Sequence, residues 1–424
     1  MHVVVLGGGS TGEHFVGALR RLDGDAELTL VERRLVGGEC SYWACMPTKT
    51  MLRATELVSA TRRAPGIGPA TLDPSGVFAW RDLVVDERDD SAQVKWLEDR
   101  HCALVRGNGV IAKPGVISVG GRQLPYDRLV IATGSSPAVP PVVEGIDYWT
   151  NREATETSEV PKTLLVLGGG PVGCELAQFF ARVGSKVTLV QKDERLLPHV
   201  DADAAALVQA ALEEDGIEVR LNEEVSDKEW LRRFDRVLVA IGRTPNVDGL
   251  DALGLPVSKR GIEVDERLRA AENVWAIGDV TGIAQLTHVG KYQARIAAYD
   301  MTGRDVRADY RAIPATVFTD PQVATVGSLD GQIARWELTK TPRLSTYERP
   351  KREGFVKVAA DPDRRVLTGA VAVGPEAGEW LQQLTLAIRA EVPIETLLDV
   401  IPPYPTFSEA VFLALRELNL DLDR

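Results

Sequence analysis

The chain has 424 residues, 44% hydrophobic and 26% charged, with 38 glycines and 24 prolines. That length amounts to roughly three domain-equivalents of about 150 residues each, and so ordinary a composition excludes a disordered, collagenous or low-complexity protein. A net charge of −12 argues against a nucleic-acid partner, because that affinity comes from surplus Lys and Arg neutralising phosphates.

Four cysteines are too few for a disulfide scaffold and suit a reducing compartment, so a cytoplasmic location is expected. No stretch approaches the run of about 18 apolar residues that marks a membrane span. Residues 3–6, Val-Val-Val-Leu, lead straight into glycines and read as a first strand and not as a signal peptide.

The first strand is followed by Gly7-Gly8-Gly9-Ser10-Thr11-Gly12, then a helical pattern through Phe15, Val16, Leu19 and Leu22. A second strand over 28–31 ends at Glu32, 20 residues beyond Gly12. Strand, G-x-G-x-x-G, helix, strand and acid together predict a dinucleotide site. Gly7 allows the tight turn, Gly9 lets a pyrophosphate approach the backbone, Gly12 lets the helix pack on the strand, and Glu32 accepts from ribose hydroxyls.

Cys40 and Cys45 follow almost at once, as C-x4-C. In a regular helix, residues five apart are separated by about 7.5 Å along the axis, beyond the roughly 7 Å that a disulfide tolerates between Cα atoms. A Cys40–Cys45 bond therefore demands a distorted helix start, and strained disulfides are the reducible ones. A helix N-terminus beside them is expected to lower a thiol pKa. A zinc site wants a second Cys or His pair close by, whereas Cys102 and Cys174 stand alone and the histidines (2, 14, 101, 199 and 288) are scattered, so no metal is expected. Two inert buried thiols are the remaining alternative, which the setting just after the nucleotide fingerprint disfavours.

The nucleotide pattern recurs. Residues 164–167 precede Gly168-Gly169-Gly170-Pro171-Val172-Gly173, a helical pattern follows through Leu176, Phe179, Phe180 and Val183, and a strand over 187–190 ends at Gln191. Gln191, Lys192 and Arg195 stand where a carboxylate would favour NAD, and neutral or basic groups tolerate the 2′-phosphate of NADP. NADPH is expected, with NADH the alternative. From Leu221 to Arg236 the chain is brief, with Trp230-Leu231-Arg232-Arg233-Phe234 before the next apolar strand.

Gly37-Gly38-Glu39-Cys40 through Cys45-Met46-Pro47-Thr48-Lys49 resembles the signature G-G-x-C-x4-C-x-P-[ST]-K of the two-cysteine FAD-dependent pyridine nucleotide–disulfide oxidoreductases, whose members include glutathione reductase, dihydrolipoamide dehydrogenase and mercuric reductase. The resemblance covers nearly the whole chain. Residues 129–134 look like the A-T-G strand, 237–246 its counterpart on the return, 274–279 the second FAD motif, and 313–321 the start of a dimerisation domain. It implies an α/β fold with two Rossmann-like dinucleotide-binding domains, one discontinuous, plus a C-terminal α+β dimerisation domain. FAD would occupy 1–145 and 260–306, NAD(P)H 146–259, and a homodimer interface 307–424.

Position by position, the resemblance implies an electron path from NAD(P)H through FAD to Cys45, then to Cys40 as the exposed interchange thiol. Lys49 would lie near the flavin and pair with Glu175, Asp279 would hold the ribitol chain, and Thr287 would flank the pyrimidine edge. Gly38, Gly109, Thr133, Gly134 and Gly242 complete the cofactor set.

The chain departs from the pattern near its C-terminus. Thiol-reducing members carry a histidine there that serves the partner subunit's thiols; here Tyr404 holds the position, with Glu409 five residues on. The pKa of Tyr exceeds that of His by about 3.5 units, about 5 kcal/mol of extra cost for taking a proton at neutral pH. Acid–base help of this kind is worth about 10²–10⁴-fold, so poor turnover of lipoamide-like dithiols is expected. Mercury chemistry in the family uses a C-terminal cysteine pair, and here no cysteine follows Cys174, including at 418–424. The expected acceptor is a small disulfide. A quinone taking electrons directly from the flavin is the alternative, and a non-catalytic nucleotide sensor is disfavoured by the intact Cys40, Cys45, Lys49 and Glu175.

Overall fold

The computed structural model describes residues 1–349 and 351–418. The terminal stretch after Leu418, where the sequence offers no soft metal ligand, lies outside the described residues. The chain divides into two compact units. One comprises Met1–Thr48, Ala79–Ala138 and Gly242–Asp309; the other comprises Lys49–Phe78, Val139–Ile241 and the chain from Tyr310 on.

The first unit is built on a six-stranded sheet. Strand β1 (His2–Leu6) runs parallel to β2 (Glu27–Glu32) on one side and to Arg128–Ile131 on the other. Val3, Val4 and Val5 are all fully buried, the continuous apolar pattern of a strand covered on both faces. Between β1 and β2 runs α1 (Ser10–Leu22), which buries Phe15, Val16 and Leu19. Two further helices matter for the site: α2 (Gly38–Tyr42) and α3 (Cys45–Thr61). A separate antiparallel sheet, Gly109–Lys113, Val116–Val119 and Arg122–Pro125, covers part of the core with Ile111, Ile117 and Leu124.

In the second unit a five-stranded parallel sheet places Thr163–Leu167 between Lys186–Val190 and Arg236–Val239. The helix Pro171–Arg182 buries Leu176, Phe179 and Phe180. The brief stretch before Arg236 forms the single helical turn Lys228–Leu231, whose Asp227 accepts from the Glu229 N–H at 2.9 Å. Trp230 and Phe234 meet edge to face at 5.3 Å and pack against the cluster of Leu165, Leu167, Val237 and Val239. Two large rings thus cover this part of the core. The C-terminal part is a five-stranded antiparallel sheet in which Val366–Gly374 pairs with both Gln322–Gly327 and Phe355–Asp361. Helices Gln382–Arg389 and Ser408–Arg416 close one face with Leu384, Ile388, Val411 and Leu415. The architecture is the expected α/β one with a C-terminal α+β portion.

A buried ion network locks this unit. The Asp320 carboxylate accepts from Arg182 at 3.0 Å, from Arg63 at 3.4 Å and from Arg352. Gln178 accepts from the Asp320 N–H at 2.7 Å, and Arg63 also pairs with Glu348 at 2.8 Å. Burial works to raise the Asp320 carboxyl, but Arg352, Arg182 and Arg63 outweigh it and hold it down at about 2. A carboxyl depressed in the fold contributes stability above its unfolded pKa, lost as pH falls from about 4 towards 2. Asp320→Asn removes the carboxylate that three guanidiniums share, leaving, among the described residues, Arg63 and Arg352 only Glu348 and Arg182 only Asp215, and is expected to cost about 3 kcal/mol, read as a lower melting temperature at pH 7. An unchanged melting temperature would contradict this account of the network.

Candidate functional site

Both glycine turns form as the spacing predicts, and their glycines divide into two kinds. Gly7 and Gly168 have φ of 110° and 106°, and a Cβ on either would stand 2.2 Å and 2.4 Å from the carbonyl oxygens of Ala132 and Ala240. A Cβ on Gly12 or Gly173 would stand 2.1 Å or 1.9 Å from the oxygen of Gly7 or Gly168, where helix presses on strand. The middle glycines differ. A Cβ on Gly9 would meet only the Gly38 Cα, at 4.0 Å, and one on Gly170 would meet nothing within 4 Å. Each stands at the N-cap of its helix and offers no side-chain cap to the first-turn N–H groups. A pyrophosphate fits where a Cβ would otherwise project. The residues present therefore suit a dinucleotide in each unit.

The groups following the two second strands diverge. The Glu32 carboxylate accepts from the N–H groups of Gly8 and Arg34, both at 2.7 Å. Gln191 occupies the matching place, its Oε1 accepting from the Gly169 N–H at 3.2 Å while its Nε2 donates to Asp193 at 2.8 Å. Lys192 is exposed, and the Arg195 guanidinium donates to the Pro198 carbonyl at 2.7 Å.

Around the first nucleotide position several remote segments converge. Asp279, in the short turn Gly278–Thr281, accepts from the Ser135 hydroxyl at 2.6 Å; that oxygen accepts in turn from Arg243 Nε at 2.7 Å. Arg243 also lies 3.9 Å from Glu39 of α2. Thr133 donates to the Asn246 carbonyl at 2.6 Å, and Asn246 donates back to the Thr133 carbonyl at 2.9 Å, holding the turn at Gly134, whose φ is 70°. Gly242, at φ 126°, has open space where a Cβ would stand. Gly109 is instead packed: a Cβ there would stand 2.6 Å from Leu6 and 3.1 Å from Val31. Arg243 and Asn246 lie in the segment 237–246 that resembles a family motif, and Ser135 directly follows the 129–134 segment, so the sequence marks their neighbourhood but not these contacts.

The thiols come together because the helix is interrupted. Cys40 lies within α2 and Cys45 opens α3; between them Trp43 adopts φ −136°, ψ −1°, outside the helical region. Neither cysteine is in a disulfide, and Cys40 hydrogen-bonds Cys45. The Thr287 hydroxyl lies 3.4 Å from Cys45 Sγ and also bonds Cys40. The expected lowering of thiol pKa does not hold for Cys40. Sharing its proton with Cys45, burial, and the adjacent Cys45 charge push it up, against the smaller opposing pull of Thr287 and Lys291. The two protons belong to the pair.

In the second unit Lys49 Nζ pairs with Glu175 at 2.7 Å and lies 4.9 Å from the centre of the Phe318 ring. Glu175, 3% exposed, also accepts from the Phe318 N–H at 2.9 Å. Tyr404 stands 72% exposed, whereas a carboxylate oxygen of Glu409 is buried without a hydrogen-bond partner among the described residues. Also among the described residues, no cluster of three His, Cys, Asp or Glu side chains suits a metal, and no helix is long and apolar enough to cross a membrane.

Comparison with known proteins agrees with this geometry. Residues 1–294 match the family described as pyridine nucleotide-disulphide oxidoreductase, and residues 313–415 match its dimerisation domain. A mercuric reductase of Shigella flexneri is 34% identical across 100% of this chain and 81% of its own length. Dihydrolipoyl dehydrogenase 2 of Haloarcula marismortui is 32% identical across 96% of this chain and 94% of its own. The crystal structure of LpdA from Mycobacterium tuberculosis superposes with a TM-score of 0.87 at 25% identity, covering 99% of both chains. The chain belongs to the pyridine nucleotide-disulphide oxidoreductase family and is an FAD-dependent NAD(P)H disulfide oxidoreductase.

Proposed function

We propose that this enzyme reduces a small disulfide with electrons from NADPH, using Cys40 and Cys45 as the relay. The observation that carries the reading is the meeting of the two thiols across the break between α2 and α3, beneath the hydroxyl of Thr287. FAD, when bound, supplies the two-electron chemistry that couples nicotinamide oxidation to disulfide reduction. Gly9, Gly38, Glu32, Asp279 and Thr287 are the residues to hold it, in an FAD domain of 1–145 and 260–306. The NAD(P)H domain then comprises 146–259, and the interface domain 307–424.

Cys40 acts as the interchange thiol. Its thiolate attacks one sulfur of the acceptor; the acceptor S–S bond breaks, and the departing thiolate takes a proton. Cys45 then attacks the Cys40 sulfur of the mixed disulfide, releasing the second acceptor thiol and closing a Cys40–Cys45 bond. The acceptor gains two electrons and two protons, and the protein pair is oxidised by the same amount. Lys49 follows Cys45 by four residues in α3, and its pairing with buried Glu175 supports a role as a fixed positive charge serving this relay.

Homodimer formation is proposed from the dimerisation domain, with Tyr404 of one protomer serving the thiols of the other. A phenol donates a proton to a departing thiolate but is a weak base at neutral pH, which favours disulfide reduction over dithiol oxidation. NADPH is preferred on the neutral Gln191 and exposed Lys192 in the place of the acid.

Two outcomes follow. Cys40→Ser is expected to abolish NADPH-dependent turnover on a panel of small disulfides, about 10³-fold or more for loss of a nucleophile. Quinone turnover unaffected by the substitution, with no disulfide turnover in the unsubstituted enzyme, would move the assignment to direct quinone reduction. Gln191→Glu is expected to raise the KM for NADPH about tenfold or more through repulsion of the 2′-phosphate, leaving NADH comparatively untouched. Equal effects on the two nucleotides would remove the basis for an NADPH preference.

A further inference from the structure

We infer that Asp90 is a positioning residue for the interchange thiol: its bond to the Val36 N–H fixes the bend from which α2 carries Cys40 to Cys45. The inference rests on the reading of Cys40 and Cys45 as the redox pair.

The bend joins the end of β2 to the start of α2, within the first unit, and is tied down along its length. The Arg34 N–H donates to Glu32 at 2.7 Å, and the Gly37 N–H donates to the Gly8 carbonyl at 2.8 Å. Gly37 and Gly38 turn the chain at φ 109° and 64°, and a Cβ on Gly38 would stand 2.7 Å from the Gly9 Cα. Between these ties lies Val36, fully buried, whose N–H donates to Asp90 Oδ2 at 2.7 Å. A backbone N–H removed from water costs free energy if it is left unpaired. The same carboxylate oxygen accepts from Arg106, at the end of the strand Cys102–Arg106, and Arg106 also donates to the Arg34 carbonyl. Asp90 and Arg106 thus hold the bend at Arg34 and at Val36.

Two features set Asp90 apart from an ordinary surface acid. It stands at the N-cap of the helix Ser91–Glu98, where an Asp side chain normally accepts from first-turn N–H groups. Its side chain makes no such bond, and its oxygen is turned to Val36 and Arg106 instead. The chain reaches it through Asp86, Glu87 and Arg88, at φ 47°, 51° and 63°. Left-handed residues ordinarily occur singly and favour glycine, and a run of three without glycine persists only where its surroundings hold it. At one end Val85 is buried against Tyr42 and Trp43, which close α2; at the other Asp90 holds Val36, which precedes it. Arg88 braces the turn by donating to Asp82 at 3.2 Å. The segment 85–90 therefore grips α2 at its exit and at its entry, with Cys40 between. Asp90 takes no proton and forms no bond in the exchange; it acts through the placement of Cys40. Thiols held within reach of each other have a high effective concentration, so loosening the entry to α2 weakens the disulfide relative to the dithiol.

The test reads the thiol pair and not the stability of the fold. The holoenzyme is equilibrated anaerobically with graded mixtures of reduced and oxidised dithiothreitol and quenched by alkylation, and the state of Cys40 and Cys45 is read by peptide mass spectrometry. Asp90→Ala is expected to shift the equilibrium about three- to tenfold towards the dithiol. Because one oxygen of Asp90 takes both bonds, Asp90→Asn keeps an acceptor for them and is expected to stay within about twofold of the unsubstituted enzyme. Leu124→Ala, buried in the separate antiparallel sheet, is the destabilised reference, lowering the melting temperature without moving the equilibrium. Should Asp90→Ala not fold, Asp90→Ser, whose hydroxyl suits the N-cap, takes its place. An equilibrium unchanged or moved towards the disulfide in Asp90→Ala, or shifted equally by Asp90→Asn or Leu124→Ala, would overturn the inference. If the unsubstituted enzyme shows no reversible Cys40–Cys45 couple, the relay reading fails and takes this inference with it. The same couple in that enzyme and in Asp90→Ala removes the role of Asp90 alone.

Discussion

Two thiols five residues apart meet only where the backbone abandons the helix between them. The interruption at Trp43 is the constraint on which the site depends. Tyr42 and Trp43 lie edge to face at 5.7 Å and bury themselves against Val85, with Leu35 alongside. Two large aromatic surfaces removed from water offset the helical hydrogen bonds forgone at the break. The Trp43 N–H still reaches the Glu39 carbonyl at 2.8 Å, and the Thr48 N–H the Ala44 carbonyl at 3.1 Å, so α2 ends and α3 begins with little backbone left unpaired. Straightening this segment would separate the sulfurs along the helix axis, whatever cofactor were bound.

The two nucleotide turns show how one backbone solution is adapted by a single side chain. Both use glycine where strand, turn and helix collide, and both leave the middle glycine open at a helix N-terminus. Glu32 and Gln191 even make the same bond to the second glycine N–H. What differs is charge: a carboxylate in one, a neutral amide in the other. That difference supports assigning different dinucleotides to two nearly identical frames.

Much of this frame is legible in the sequence because its causes are local. Apolar runs ending in glycines announce β1 and Thr163–Leu167, and helical pitch requires a break between Cys40 and Cys45 if the two are to bond. The pairing of Lys49 with Glu175 has no such local cause and is visible only through resemblance to a family. The contacts of Ser135, Arg243 and Asp279 join segments more than 100 residues apart, so nothing in the order of residues foretells them. The same holds for Arg63, Arg182 and Arg352 around Asp320. The departure at Tyr404 is legible as a residue, while its 72% exposure, suited to serving another protomer, is a property of the fold.

The central claim is that the Cys40–Cys45 pair stores electrons on the way to the acceptor. Anaerobic reductive titration of the holoenzyme tests it most directly. The account predicts an uptake of about four electrons per protomer, two at the thiol pair and two at the flavin, falling to about two in Cys45→Ser. An uptake of about two electrons in the unsubstituted enzyme, unchanged by that substitution, would contradict it.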